Sequence, residues 1–288
     1  MRPGESPPRG SLLASVDVTT PADSPTRLSS PLRRHPEATA LLFDVDGVLA
    51  PIVPNAGDAT VPREALDLLE ALRDRYALVG VVSGRALADL DRMVPVAGLA
   101  RSGNHGLEIE VPGEARDVDP AARPHLATVR AFVDMWPADR LAPHGVWMED
   151  KGATLSLHHR EAADQDAAVR FLHGEVAATA HDAGLRTRPG RMVLEVLPAV
   201  QLDKGTAVRT LLASTAARSA MYVGDDRTDA DAWGALRALR DEGALDDALC
   251  LVADGPEVDP AVRALADTHV DGTAGVVALM RALARSPC

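Results

Sequence analysis

Four continuous apolar runs punctuate the chain: Ala38–Phe43, Ala77–Val82, Ala220–Val223 and Ala248–Val252. None alternates with polar residues, so each predicts a strand buried on both faces, as in a parallel sheet. Helical patterns fall between them. Pro62–Arg75 carries Leu66, Leu69 and Leu72 at three-residue spacing with Pro62 in the first turn, and Lys204–Ala213 and Asp229–Leu239 repeat the theme. Strand and helix in alternation predict a doubly wound, Rossmann-like α/β core. The middle of the chain breaks the rhythm. A helical pattern at Pro120–Met135 precedes two strand-like runs, Val146–Asp150 and Thr154–His159, around a Lys151-Gly152 turn. A long helical stretch, Ala162–Ala183, stops at Gly184, and Leu185–Arg188 and Met192–Val196 flank a Pro189-Gly190 turn signal. Helix, hairpin, helix, hairpin predicts a smaller α+β domain inserted into the core. The expected division is a core of 37–112 and 198–288 with an insert of 113–197. Residues 1–36, rich in Pro, Ser, Thr and Arg without a periodic apolar face, read as a disordered, solvated tail.

Composition narrows the partners. The 288 residues carry 30 Lys+Arg against 42 Asp+Glu, a net charge of -12, which disfavours nucleic-acid backbones. Aromatic residues make up 3%, too few for base-stacking platforms. No apolar run approaches the ~20 residues of a membrane helix, and no signal peptide is read at the N-terminus. Two cysteines, Cys250 and Cys288, exclude a disulfide scaffold and a cysteine zinc site and fit a reducing cytoplasm. A monomer acting on a small molecule is the expectation.

Three of the apolar runs end in polar clusters, where open α/β sheets bind ligands. The first is Asp44-Val45-Asp46-Gly47. Period two sends both carboxylates to one side, and such carboxylates repel unless a cation lies between them; Mg²⁺ is the natural hard partner. The second is Ser83-Gly84-Arg85, where a hydroxyl and open N–H groups can hold a phosphate oxygen, although Ser83 alone reads most simply as a helix cap. The third, Gly224–Asp231, holds four aspartates, some of which would cap the next helix. Lys204 opens a helix and can reach a phosphate as a point charge; taken alone it reads as a solvated surface lysine. Together these residues describe a phosphoryl-transfer site.

In this order, Asp44-Val45-Asp46-Gly47, Ser83-Gly84-Arg85, Lys204 and Gly224-Asp225-Asp226 resemble the four motifs of the haloacid dehalogenase superfamily, in its phosphatase branch. The chain further resembles trehalose-6-phosphate phosphatases through Gly103-Asn104-His105-Gly106-Leu107-Glu108, Glu149-Asp150-Lys151, His158-His159-Arg160, Gly190–Glu195 and Gly224–Asp231. It departs at Val48 (usually Thr), His159 (usually Tyr), Ala230 (usually Glu) and Leu197 (often Arg or Lys). The resemblance implies that Asp44 is the nucleophile and Asp46 the general acid–base. Ser83 and Lys204 would hold phosphate oxygens. Mg²⁺ would be bound by Asp44, the main-chain carbonyl of Asp46 and Asp225, with Asp229 supporting the metal and Lys204. Arg85, His105, Glu108, Glu149, Lys151, Arg160, Arg191 and Glu195 would read the sugar, with the insert acting as a lid. A phosphatase for another glycosyl or pseudosugar phosphate and a non-catalytic sugar-phosphate binder are the alternatives.

Overall fold

The computed structural model describes residues 32–53, 56–190 and 192–285. Their strands, in chain order, are β1 Thr39–Phe43, β2 Leu78–Val82, β3 Ala100–Gly103, β4 Glu108–Glu110, β5 Asp117–Val118, β6 Trp147–Asp150, β7 Leu155–His158, β8 Leu185–Gly190, β9 Val193–Pro198, β10 Ser219–Gly224, β11 Asp247–Asp254 and β12 Thr268–Asp271. The chain divides into two compact units: 1–106, 110–115 and 203–288, and 107–109 with 116–202.

In the first unit six strands run parallel in the order β12-β11-β10-β1-β2-β3. β1, β2 and β10 are buried at every position, as continuous apolar runs require of strands covered on both faces. Leu41, Phe43, Val79, Val81, Met221 and Val223 pack one face against the helices Arg63–Arg73 and Gly272–Ala284. The helices Lys204–Ala213 and Asp229–Asp241 pack on each other and on the sheet. The chain leaves β1 toward β2 on one side and returns as β10 on the other. The carboxyl ends of β1 and β10 therefore meet at the topological switch point, where such sheets hold ligands. The expected α/β class holds.

Several local expectations are corrected. β3 (Ala-Arg-Ser-Gly) and β12 (Thr-His-Val-Asp) lack apolar runs and were not expected. β3 tolerates Arg101 because its guanidinium donates to Val94 O and Val96 O and pairs with Glu110. Ser83 caps no helix: the next one, Leu87–Met93, starts after Ala86. Of the expected tail, 1–31 lies outside the described residues, and Leu32 is buried in the core cluster, which carries the packed chain back beyond residue 36.

The second unit is a four-stranded antiparallel sheet, β6-β7-β9-β8, backed by helices. Leu155, Leu157, Leu194 and Val196 send one sheet face into a core with Val129, Phe132, Trp136, Phe171 and Val176. The first helix begins at Leu126, not Pro120; Arg123–His125 forms a 3₁₀ turn with Pro124 inside it. The long helix begins at Gln165, where Asp164 accepts from Ala167 N, and a π-helical segment at Leu172–Val176 interrupts it before Ala177–Asp182. Gly184, at φ 75°, ends it. Pro189 and Gly190 stay in the ladder opposite Leu194 and Val193, so the expected turn is not at these two residues, and Met192 has φ 61°. β8 is an edge strand, where a proline forfeits no ladder bond on its open side. No described helix is long and apolar enough to cross a membrane.

Candidate active site

The strand β1 stops at Phe43, so the period-two expectation for Asp44 and Asp46 fails: the two carboxylates take different partners. Asp44 is buried, its N–H donates to Val223 O of β10, and its Oδ2 accepts from Lys204 Nζ at 2.8 Å. Beyond it the chain turns tightly, with Ala50 N bonded to Val45 O and Gly47 at φ 78°. A side chain at Gly47 would strike the Asp225 carboxylate, so the turn needs glycine both for its backbone and for the approach of Asp225. Val48 is fully buried in the apolar core.

Lys204 is the first residue of its helix, behind an Asp203 cap that accepts from Thr206 N. It is 2% exposed, against the surface reading of a lone lysine. Its ammonium sits between Asp44 and Asp229, 2.8 and 2.7 Å away, with Asp226 at 4.0 Å. Burial opposes its charge, but Asp229, Asp44 and Asp226 outweigh that and raise its pKa. Asp229 is fully buried and its carboxylate is filled with donors. Oδ1 accepts from Lys204 Nζ and from Tyr222 OH at 2.7 Å, and Oδ2 from the N–H groups of Asp225 and Asp226 at 2.8 and 3.0 Å. Tyr222 went unnoticed in the sequence; its place two residues before Gly224 on a buried strand was the available signal. Asp226 is the capping aspartate of the cluster: its Oδ1 accepts from Thr228 N and Oγ1. Burial pushes its pKa up, but Lys204 and the Thr228 bonds prevail and lower it.

Asp44, Asp225 and Asp229 each offer an oxygen, all within 4.8 Å of one another. Burial, followed by Asp229 and Asp226, pushes Asp225 up to about 8, with Lys204 pulling the other way. Asp44 is raised well above the usual range by burial and by Asp229 and Asp225, against the pull of Lys204. Two buried carboxylates and a half-buried third around one ammonium leave acid in excess of base in a poorly screened place. The donor set is oxygen only, which suits a hard divalent cation.

Asp46, by contrast, is clamped by Arg85, whose Nε and Nη2 donate to Oδ2 and Oδ1 at 2.6 and 2.7 Å. Arg85 thus holds a neighbour of the nucleophile position, where a sugar contact was expected. Ser83 is buried and its Oγ accepts from Arg85 N. His105, together with Asn104, has a left-handed backbone, fixed by Asn104 N to Arg85 O and His105 N to Ser83 O at 2.8 and 3.0 Å. Gly84 lets the His105 ring approach, since any Cβ there would strike it.

The remaining predicted residues lie in the second unit. Glu149, Ser156, Glu195 and Arg188 face one another in register across β6, β7, β9 and β8. Glu149 Oε2 accepts from His158 Nε2 at 3.0 Å, with the ring's proton on that nitrogen, and Lys151 Nζ stands 3.8 Å from it. Glu195 accepts from Arg188 Nε at 2.7 Å; Arg188 was not singled out in the sequence. Glu108 is half-buried on β4, and Arg160 is exposed beyond the end of β7. Arg191 lies outside the described residues. The two departures have local explanations. His159 is buried with Nδ1 2.9 Å from Gln165 Oε1, and Leu197 is buried in register with Arg186, which donates to Pro198 O and Val200 O.

Comparison with known proteins places this geometry. The chain is 34% identical over 245 residues to a trehalose-phosphate phosphatase of Mycobacterium avium, covering 81% of this chain and 58% of that protein. It is also 34% identical over 206 residues to an uncharacterized glycosyl hydrolase of Mycobacterium tuberculosis, covering 69% of this chain and 15% of that protein. The chain thus spans little more than half the length of the first and a small part of the second. The fold recurs in the C-terminal domain of C. albicans trehalose-6-phosphate phosphatase, with TM-score 0.68, 19% identity and coverage of 92% of this chain and 98% of that one. It recurs in Aspergillus fumigatus trehalose-6-phosphate phosphatase, with TM-score 0.61, 23% identity and coverage of 93% and 100%. A family model, Trehalose-phosphatase, matches residues 42–252, from β1 through the insert into β11 and so across every cluster described above, and the chain belongs to the trehalose-phosphatase family.

Proposed function

We propose that the protein hydrolyses trehalose 6-phosphate to trehalose and phosphate. The observation that carries this reading is Lys204 Nζ held between the buried carboxylates of Asp44 and Asp229, with Asp225 completing an oxygen-only cluster. Asp44 Oδ attacks phosphorus in line, and the bond from phosphorus to the sugar oxygen breaks. Asp46 gives that oxygen its proton, then takes one from the water that attacks the aspartyl phosphate, releasing phosphate and restoring Asp44. Arg85 orients Asp46 through one oxygen while the other, its bond to the guanidinium opened, carries the proton. Lys204 and Ser83 hold the non-bridging oxygens as negative charge shifts onto them. Asp229 is the organiser: with four donors on its carboxylate it fixes Lys204 and the turn that carries Asp225. Asp44, Asp225 and the carbonyl of Asp46 would hold Mg²⁺, which supplies the positive charge that lets a carboxylate approach a phosphate. The retention of Asp44, Asp46 and Lys204 argues against a non-catalytic binder.

The second unit, as the lid, reads the sugar through Glu149, Lys151 and Glu195, with His105, Glu108, Arg160 and Arg191 as further contacts. A second reading, a phosphatase for another glycosyl phosphate, is favoured by Leu197 and His159, where the chain departs from the family's pattern. Action as a monomer in the cytoplasm accompanies either reading, and the free Cys250 fits a reducing compartment. Phosphate release from trehalose 6-phosphate, glucose 6-phosphate and other glycosyl phosphates, with Mg²⁺ and with EDTA, tests the proposal. Preference for trehalose 6-phosphate abolished by EDTA is expected. Metal-dependent release from another sugar phosphate alone would move the assignment to the second reading.

A further inference from the structure

Trp147 is out of place for a packing residue. It opens β6 with 49% of its surface exposed, while Trp136 and Trp233, the other two tryptophans, are fully buried. An indole left half in water forfeits much of the burial that repays its size. One side of its ring has a fixed neighbour. His158, its partner in the β6–β7 register, stacks on it with centroids 4.1 Å apart and planes within 16°. The same imidazole reaches Glu149 through Nε2. Leu155, Leu157, Leu194 and Val196 take one sheet face into the unit's core, so Trp147, Glu149, Ser156, Glu195 and Arg188 share the other, on which Ser156 is buried and Trp147 is exposed. An aromatic plate therefore lies on an edge strand beside the Glu149 carboxylate, which His158 holds, while Glu195 stands two strands away on the far side of His158.

We propose that Trp147 is a specificity-determining residue that stacks on the C–H face of a pyranose ring while Glu149 accepts hydrogen bonds from its hydroxyls. The inference rests on the phosphatase reading and deepens it by naming what the sheet face selects. A pyranose is amphipathic in this sense: its ring faces present C–H groups and its rim presents hydroxyls. A plate flanked by a hydrogen-bond acceptor matches both features. A phosphate alone matches neither, since the carboxylate would repel it. Stacking on His158 and the His158–Glu149 contact hold the indole before the sugar arrives, so little freedom is lost on binding.

Because the other two tryptophans are buried, acrylamide quenching of fluorescence reads Trp147. In the full-length Asp44→Asn protein with Mg²⁺, saturating trehalose 6-phosphate or trehalose is expected to protect the quenchable emission, and Trp147→Phe to remove that emission. In turnover assays Trp147→Ala is expected to raise KM for trehalose 6-phosphate about tenfold, or ~1.4 kcal/mol, with a smaller change in kcat. Trp147→Phe, which keeps a ring, should restore KM to within about threefold. Unprotected quenching beside normal turnover would overturn the inference and leave the phosphatase reading standing. Protection by trehalose without release of phosphate would do the reverse. Should Trp147→Ala fail to fold, the quenching of the Trp147-containing protein still decides.

Discussion

The two units hold their charged groups in opposite ways. In the first, Asp44, Asp229 and Lys204 are almost wholly buried and acid is in excess of base. In the second, Glu149 meets His158 and Lys151, and Glu195 meets Arg188, all on a partly exposed sheet face. Buried charges cost several kcal/mol each unless every partner is present, so the first arrangement is rigid and intolerant. Exposed pairs are worth little and exchange partners with water readily. Chemistry needs the former, because charge must be stabilised without reorganisation. Reading a ring of hydroxyls needs the latter.

The sharpest way to break this contrast is at the nucleophile. Asp44→Asn should lower phosphate release by roughly 10⁴-fold or more while circular dichroism shows an unchanged fold. Retained turnover would remove the first unit's chemical role. Next is Lys204→Met, which leaves Asp44 and Asp229 facing each other. A loss of roughly 10³-fold in kcat is expected, with about 3 kcal/mol of stability lost in denaturant melts. A loss no larger than that from a sheet-face substitution would erase the difference between the units.

Cation binding sharpens the contrast through pH. Asp225 stands at about 8 in the folded chain and at 3.8 as its ordinary value. The folded state therefore holds the extra proton, and this group's contribution to stability is full below 3.8 and lost as pH rises toward about 8. A cation binds the ionised carboxylate, so Mg²⁺ should stabilise most where that loss is greatest. A rise of roughly 5 °C in Tm at about pH 8.5, less than half of it at about pH 6, and reversal by EDTA are expected in thermal melts. The smallest effect belongs to Arg188→Gln. Its pair with Glu195 is 38% and 19% exposed, so KM for trehalose 6-phosphate should rise only about two- to threefold, with Tm almost unchanged.

What was legible in the sequence follows the same physics. β1, β2, β10 and β11 announced themselves because strands buried on both faces must be continuously apolar, and their polar endings marked Asp44, Ser83 and Asp225. β3 stayed hidden because Arg101 is buried by virtue of carbonyl partners that only the fold supplies. The Asp44–Asp46 spacing misled for a related reason: the strand ends at Phe43, and Asp46 swings to Arg85 from a turn. The Arg85–Asp46 pair was not legible because nothing local shows that the two, 39 residues apart, meet. Trp147 and Arg188 were passed over since each acquires meaning only through register, opposite His158 and Glu195 respectively.

The most direct test of the first unit's chemistry is to trap the phosphoryl group on the chain. The protein is mixed with trehalose 6-phosphate and Mg²⁺, quenched in acid and reduced with borohydride, which converts an aspartyl phosphate to homoserine. Peptide sequencing by mass spectrometry is expected to find homoserine at position 44, and none when EDTA replaces Mg²⁺. Active turnover with Asp44 unmodified, or with the label on another aspartate, would contradict the assignment of Asp44 as the residue that takes the phosphoryl group.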